Sequence, residues 1–408
     1  MNRLCYALIV GTLCTTCAMA GPWPAWRGPG GQGHTTETDL PLEWGPNKNI
    51  RWKMPLKEFG NSTPIIWENS IFLTEANRGG SKRGLICIDR TTGRERWRRD
   101  IEFAETEKAW NPTFYASASA VTDGRHVVVS YGSAGMYCYD FSGKELWKRT
   151  DLGLWTHQFG NSASPIIYGD TAILWLGPDS KINKLLAVKL ATGETVWETG
   201  EQSGSWSTPV VAKVDGKDQL LLGMSRFFKG YDPKTGKELW RCDGLNELCY
   251  TSALFSEKHG IAVAMSGYNK DALAVKLGGT GDITANRLWH HPRNTQRVGS
   301  GAIVGDYVYM LEESGVPHCY ELKTGKEVWQ VDQRPAGKTW SSIVVSGDRL
   351  YVVCQDASTV VFKAAPKFEL LAHNKMGKGE RSNSSLAVSD GEIFLRTSQF
   401  LWCISQKK

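Results

Sequence analysis

The hexapeptide TGRERW at residues 92–97 returns as SGKELW at 142–147, TGETVW at 192–197, TGKELW at 235–240 and TGKEVW at 324–329. Each copy places a tryptophan four residues after a turn glycine. Following the tryptophan slot alone adds two more positions, giving Trp52, Trp97, Trp147, Trp197, Trp240, Trp289 and Trp329, spaced 40 to 50 residues apart. An eighth copy has decayed to KFELL, with Leu371 in the slot. A period of this length is the signature of a propeller or a similar array.

Within one period the content reads as strand throughout. Residues 161–197 run as an apolar stretch, a Gly-Asp turn, a second apolar stretch, the loop GPDSKINK, then strand, Thr-Gly turn and strand. Gly-Asp or Asp-Gly recurs at the first hairpin, where positive φ is tolerated. No amphipathic helical stretch of useful length interrupts the pattern. Four strands make one blade, and the innermost carries small residues: NSTP at 61–64, SASA at 117–120, SASP at 162–165, WSTP at 206–209, YTSA at 250–253, GSGA at 299–302, WSSI at 340–343 and NSSL at 383–386. Eight such segments predict an all-β, eight-bladed propeller of four-stranded antiparallel blades. Small side chains suit strands that crowd a central axis.

The unit count also predicts how the circle closes. The last unit has strands at 383–388, 392–396 and 400–404 but no fourth, whereas NIRWKM at 49–54 is a fourth strand with no blade. Pairing the two covers an open edge. Each slot tryptophan is expected on an outermost strand, docked on the Gly turn of a neighbouring blade with its indole N–H on a backbone carbonyl. That role is architectural.

The first twenty residues, MNRLCYALIVGTLCTTCAMA, carry one cation, a short apolar run and a small-residue end. This is the pattern of a secretory signal peptide, and the run is too short to span a bilayer. The expected organisation is a signal peptide at 1–20, an extended segment at 21–43 and a single propeller at 44–408. The mature chain is then exported to the periplasm or beyond, with no transmembrane segment. Net charge is only +6 over 408 residues with no basic block, which argues against nucleic acid. Seven cysteines follow the signal, none in a C-x-x-C, so zinc and redox motifs lack support. Cys87, Cys138 and Cys319 share a slot held elsewhere by Ala187 and Gly230, and read as packing. Cys242 and Cys249 are the pair left for a disulfide in an oxidising compartment.

The stretches CIDRTTGRERW and GYDPKTGKELW resemble the tryptophan-docking repeat of the pyrroloquinoline quinone (PQQ)-like propellers, a superfamily that includes quinoprotein alcohol dehydrogenases and the BamB-like proteins. The likeness covers about residues 44–404. The opening WPAWRGPGGQG and LPLEWGPNKNIRWK is similar to the start of exported bacterial propeller proteins of this kind. For a quinoprotein the resemblance would imply a Ca²⁺ held by Glu and Asn, an Asp base and a vicinal disulfide over the quinone. No adjacent cysteine pair exists, and Asn61, Asn161 and Asn383 at the inner-strand entrances have no carboxylate beside them. PQQ with Ca²⁺ is therefore disfavoured, no other cofactor or metal site is indicated, and His290-His291 read as surface residues.

The reading is a non-catalytic binding or scaffold module of the bacterial cell envelope, expected as a monomer, with a protein or glycan of the envelope as partner. A PQQ-dependent oxidoreductase is the alternative, and a carbohydrate-binding propeller the second. The working surface is placed on the inter-blade loop face, at Trp110, Tyr115, Trp155, His157, Arg297, Lys338, Trp340 and Arg381. Aromatic rings and cations together are what interface anchors are made of. Arg297, Lys338 and Arg381 each precede an inner strand and are expected to converge at the channel mouth. Trp155 and Trp340 are expected to be exposed enough to stack on sugar rings.

Overall fold

The computed structural model describes residues 21–108, 115–178, 182–201, 204–267, 271–292, 297–331 and 334–406. The chain forms eight blades, each an antiparallel meander of four strands. Blade 1 is typical, with Ile65–Trp67 innermost, then Ser70–Ala76, Lys82–Asp89 and Glu95–Glu102 outermost. Blade 8 takes Ala387–Ser389, Glu392–Arg396 and Phe400–Ile404 from the C-terminus. Its fourth strand is Ile50–Pro55, antiparallel to Phe400–Ile404, with Trp52 opposite Cys403. The ring therefore closes by pairing the two ends of the chain.

Two features of the repeat have distinct physical causes. On the outer side, Trp97 Nε1 donates to Phe141 O at 2.9 Å, Trp147 Nε1 to Leu190 O at 2.6 Å and Trp289 Nε1 to Leu322 O at 2.8 Å, each on the next blade. Trp52, Trp197 and Trp329 reach Arg90 O, Pro233 O and Ala365 O in the same way. A turn glycine lies beneath the ring at every one of these seams except that of Trp329, where the turn is Ala365-Pro366-Lys367. At Gly193, with φ of +74°, a Cβ would lie 2.7 Å from the Trp147 ring. Directly across the ladder from each tryptophan stands the small-residue slot, with Cys87 opposite Trp97, Cys138 opposite Trp147 and Ala187 opposite Trp197.

Trp240 departs from this pattern. Its Nε1 donates to Gln219 Oε1 in its own blade at 2.7 Å, and its ring covers Gly230, where any Cβ would overlap it. The cause lies in blade 5, where residues 277–286 replace the usual turn. Gly281–Asp282 adds a short parallel strand beside Trp240 and Arg241, occupying the place where the indole would dock.

On the inner side the requirement is for a hydroxyl as well as small size. Thr63 N donates to Ser119 Oγ, Ser119 N to Ser164 Oγ and Ser164 N to Thr208 Oγ1, at 2.9 to 3.0 Å. Ser252 Oγ donates to Thr208 O at 2.7 Å, and the relay resumes through Ser300, Ser342 and Ser385. Ser385 N then donates to Thr63 Oγ1 at 3.1 Å. Blade 8 is thereby tied to blade 1 and the circle is complete.

The segment after residue 20 crosses the end of the channel opposite the relay's entrances. Trp23 exchanges backbone hydrogen bonds with Ile66 of blade 1, and Thr122 N of blade 2 donates to Pro24 O. Gln32 bonds Ala253 and Phe255 of blade 5, Arg27 reaches Gly301 O of blade 6 at 2.6 Å, and Gly33 O accepts from Val345 N of blade 7. His34–Thr35 pairs in parallel with the inner strand of blade 7, and Glu37 accepts from Asp390 N and Gly391 N of blade 8. A strap that bonds opposite sides of the ring within so few residues must cross the axis. Its glycines permit this: at Gly33, φ is +77° and a Cβ would lie 2.5 Å from Ile343 O. Leu40 and Trp44 continue into the largest hydrophobic cluster, which joins blades 7, 8 and 1.

All seven cysteines among the described residues are buried and free. Cys242 and Cys249, the one pair open to a disulfide from the sequence, are not bridged: Cys249 Sγ points to Met224 O at 3.2 Å and Cys242 Sγ to Asp243 O at 3.6 Å. Burial pushes the Cys87 and Cys242 thiols up to about 11, and Cys138 and Cys249 up to about 12.

Two expectations follow from the seams and the thiols. In guanidinium unfolding, Trp147→Ala should cost about 3–5 kcal/mol through the cavity it leaves. Ser164→Ala should cost about 1–3 kcal/mol by orphaning Ser119 N–H; a neutral Ser164→Ala would mean the relay is incidental. Ellman's reagent at pH 8 should find no reactive thiol in the folded mature protein and seven after unfolding, whereas a bridge would leave five.

Candidate functional site at the channel mouth

Loops entering the inner strands and loops joining second to third strands meet on one face, above the hydroxyl relay. Two residues before each relay hydroxyl stands a residue at the rim of the mouth, and the rim is asymmetric. Blades 8 and 1 present amides, Asn383 and Asn61, while blades 4, 5 and 7 present Trp206, Tyr250 and Trp340. On the aromatic side the Trp206 and Tyr250 ring centroids lie 4.8 Å apart. His157 packs edge-on to Trp206 at 5.1 Å, with Phe159 adjoining at 6.1 Å. Trp206 Nε1 donates to Gly160 O at 2.9 Å, so this cluster is held rigidly. Of its members only His157 was singled out from the sequence. The aromatic letters at the rim position of WSTP and YTSA were the available signal.

The structure separates the other candidates by burial. Lys338 and Arg381 are exposed. Their backbones are fixed, with Gln355 N donating to Lys338 O at 2.7 Å and Arg381 N to Ser398 Oγ at 3.2 Å. Trp340 is half-buried, its Nε1 on Glu313 Oε1 at 2.9 Å. Arg297 does not join them. Only 1% of it is exposed, packed with Tyr320 near Glu312 and Glu327, and burial lowers its affinity for the proton. The cause is packing: its guanidinium is buried against Tyr320 of blade 6.

Trp155 is likewise buried, at 1% exposure, in the core shared by blades 2 and 3, which removes one of the two rings expected to stack on sugar. Tyr115 belongs to a structural knot. Its hydroxyl donates to Glu107 O at 3.1 Å and its ring faces the Arg83 guanidinium at 4.8 Å. Arg83 in turn pairs with buried Glu107 at 2.7 Å. There burial raises the carboxyl's pKa against the pull of Arg83. Trp110 lies outside the described residues. His290 is bound to Asp271 at 3.0 Å and His291 lies against Trp289, so neither ring stands loose on the surface.

On the amide side a cavity of about 240 Å³ opens between blades 7, 8 and 1, walled by residues 58–61, 381–384 and 396–398 with Gln355. Arg396, 2% exposed, spans the seam beneath it. Its Nη1 donates to Ser62 Oγ at 2.7 Å and Thr74 O at 2.8 Å. Burial lowers its pKa to about 10, opposed by the nearby Glu75. Gly60 has no Cβ because one would overlap Arg396 Nη2. Sequence reading missed Arg396, although a cation closing the apolar run EIFLR was a visible anomaly.

The donors at the mouth are amides and hydroxyls, and Asn161 and Asn383 are already bonded to Gly177 O and Gln355 Nε2. Among the described residues no three His, Cys, Asp or Glu side chains converge as a metal site would require. A quinoprotein calcium site needs carboxylate oxygens at one point, and the residues here do not fit it.

Comparison with known proteins places this geometry. No curated protein matches the chain. Among solved structures, BamB from Moraxella catarrhalis superposes with a TM-score of 0.63 at 15% identity, covering 88% of this chain and 98% of that one. A computationally designed protein gives 0.58 at 15% identity, with 85% and 98% covered. A quinohemoprotein alcohol dehydrogenase from Pseudomonas putida HK5 gives 0.55 at 13%, with 95% and 81% covered. At such identities the likeness is one of fold. The family model described as outer membrane protein assembly factor BamB matches residues 46–215, 81–331 and 228–399. With nearly the whole ring inside those matches, the chain belongs to the BamB family of PQQ-type repeat propellers.

Proposed function

We propose that this protein is an exported, non-catalytic binding module of the bacterial cell envelope, and that it engages a protein partner through the channel-mouth face. One observation carries the reading. The strap closes the opposite end of the channel, so exposed Lys338 and Arg381, with half-exposed Trp340 between them in sequence, stand at its open end. An aromatic ring in company with cations is the composition of binding hot spots. Family membership supports the reading, since BamB is named for outer-membrane protein assembly. No described helix is long and apolar enough to cross a membrane. Export rests on the sequence pattern of residues 1–20, which lie outside the described residues.

Photo-crosslinkers placed at Lys338 and Arg381 should trap a discrete envelope protein in cells. One at Arg94, in a turn on the opposite face, should not. Adducts from Arg94 alone would put the working surface on the wrong side. Lys338→Ala and Arg381→Ala should leave thermal stability within about 0.5 kcal/mol of wild type, whereas Arg297→Ala should lower it by about 2 kcal/mol or more. Mass spectrometry of the exported protein should find Gly21 at its N-terminus.

A further inference from the structure

The rim of the open mouth is divided in a way that neither the relay nor the seams require. Over blades 8, 1, 2 and 3 the rim positions are two amides and two hydroxyls, Asn383, Asn61, Ser117 and Ser162. Over blades 4 to 7 they are three aromatic rings and a valine. None of the eight is charged, and all but Trp206 stay partly exposed. A ring that is half apolar and half polar, without charge, suits a neutral ligand with two unlike faces.

The two halves meet at two places. Between blades 3 and 4 the aromatic side is Trp206, which is buried under His157, Phe159 and Tyr250, so no open ring is left there. Between blades 7 and 8, Ser342 N donates to Ser385 Oγ at 2.9 Å. That bond sets the positions two residues earlier, Trp340 and Asn383, side by side at the rim. Trp340 is fixed by its Nε1 bond to Glu313 yet stays partly exposed. Gln355 Nε2 donates to Asn383 Oδ1 at 2.9 Å. The Gln355 backbone is clamped between the entering loops, its N–H on Lys338 O and its carbonyl accepting from Ser382 N.

Two amides joined by one such bond keep one carbonyl oxygen and one NH₂ group unspent, and these find no partner among the described residues. Both side chains are partly exposed and line the cavity of about 240 Å³, where Phe59 supplies an apolar wall. Charge does not decide what enters. Arg381 is balanced by Glu58 across the same wall, and Arg396 is spent on Ser62 and Thr74 and packed against Gly60.

We propose that a neutral sugar residue binds at the junction of blades 7 and 8, with its C–H face on Trp340 and its hydroxyls on the Gln355–Asn383 amide pair. Each sugar hydroxyl both donates and accepts, so two neighbouring hydroxyls satisfy the free carbonyl and the free NH₂ together. The polarised C–H groups of a pyranose face complement the negative face of an indole. An extended peptide would instead add to a free strand edge, and the inner-strand N–H groups of Ser342 and Ser385 at this seam are spent on the relay. The site shares the mouth with the protein-partner reading and goes beyond it by adding a small-ligand subsite.

The test is calorimetric titration of the mature protein with two neutral trisaccharides, chitotriose and maltotriose, and with the neutral peptide acetyl-Gly-Tyr-Gly-amide. Saturable binding of at least one sugar is expected, insensitive to added salt because no ion pair is made. Asn383→Ala and Trp340→Ala should each weaken it at least tenfold. Gln355→Ala, on a different loop, reads the same amide pair independently, and thermal unfolding checks that all three variants fold. Binding of neither sugar, binding of the peptide alone, or sugar binding indifferent to Asn383→Ala and Gln355→Ala overturns the proposal. Crosslinks from Lys338 would survive that failure, whereas their absence with sugar binding intact would fault the protein-partner reading instead.

Discussion

Eight wedges make a stable ring only if the eighth holds the first, and in this chain that junction joins residues more than 300 positions apart. Bringing such distant segments together costs about 5 kcal/mol in loop-closure entropy alone. The structure concentrates its cohesion there. The largest hydrophobic cluster lies under blades 7, 8 and 1 and draws in Trp23, Leu40 and Trp44 from the strap. Arg90 of blade 1 reaches across to buried Glu392 of blade 8 at 2.9 Å and to Ser389 O at 2.8 Å, while Trp52 of blade 8 docks on Arg90 O. A buried ion pair is weak evidence of net stability, but it is exacting about geometry. The apolar cluster supplies the energy, and the pair and the relay set the register.

The repeat was legible because its causes are local. Strand alternation, turn glycines and the tryptophan slot are each specified within a few residues, and they gave the blade number and the closing strand directly. What escaped is non-local. Whether a loop residue such as Arg297 or Trp155 faces water depends on which neighbouring blade its loop folds across, and nothing in the flanking sequence encodes that. Trp240 was misassigned for the same reason: its own hexapeptide TGKELW is intact, and the change sits some forty residues later in blade 5. The hydroxyl relay could have been read. All eight inner-strand segments hold Ser or Thr at the relay position, where packing alone would have accepted Ala or Gly.

The strap gives the molecule polarity that the repeat alone lacks. A ring of similar blades has two open mouths, but WPAWRGPGGQG lies across one of them. Its glycines at positive φ let backbone pack where side chains would collide. The strap leaves the opposite mouth uncrossed, and there the blades stop being equivalent. One arc carries the rigid rings of Trp206 and Tyr250, and the other carries amides and arginines around a cavity.

Buried arginines show how differently two neighbouring seams are held. Arg83 and Arg396 are both buried at blade junctions, and both leave a nitrogen unbonded. Arg83 has Glu107 against it at 2.7 Å, so its charge is matched within the fold. Arg396 has no acid within ion-pairing distance among the described residues, and its Nη1 is bonded instead to Ser62 and Thr74 of blade 1. The closing seam is therefore fastened by the hydrogen bonds of Arg396 Nη1 to blade 1, whereas Arg83 fastens its own seam by charge as well.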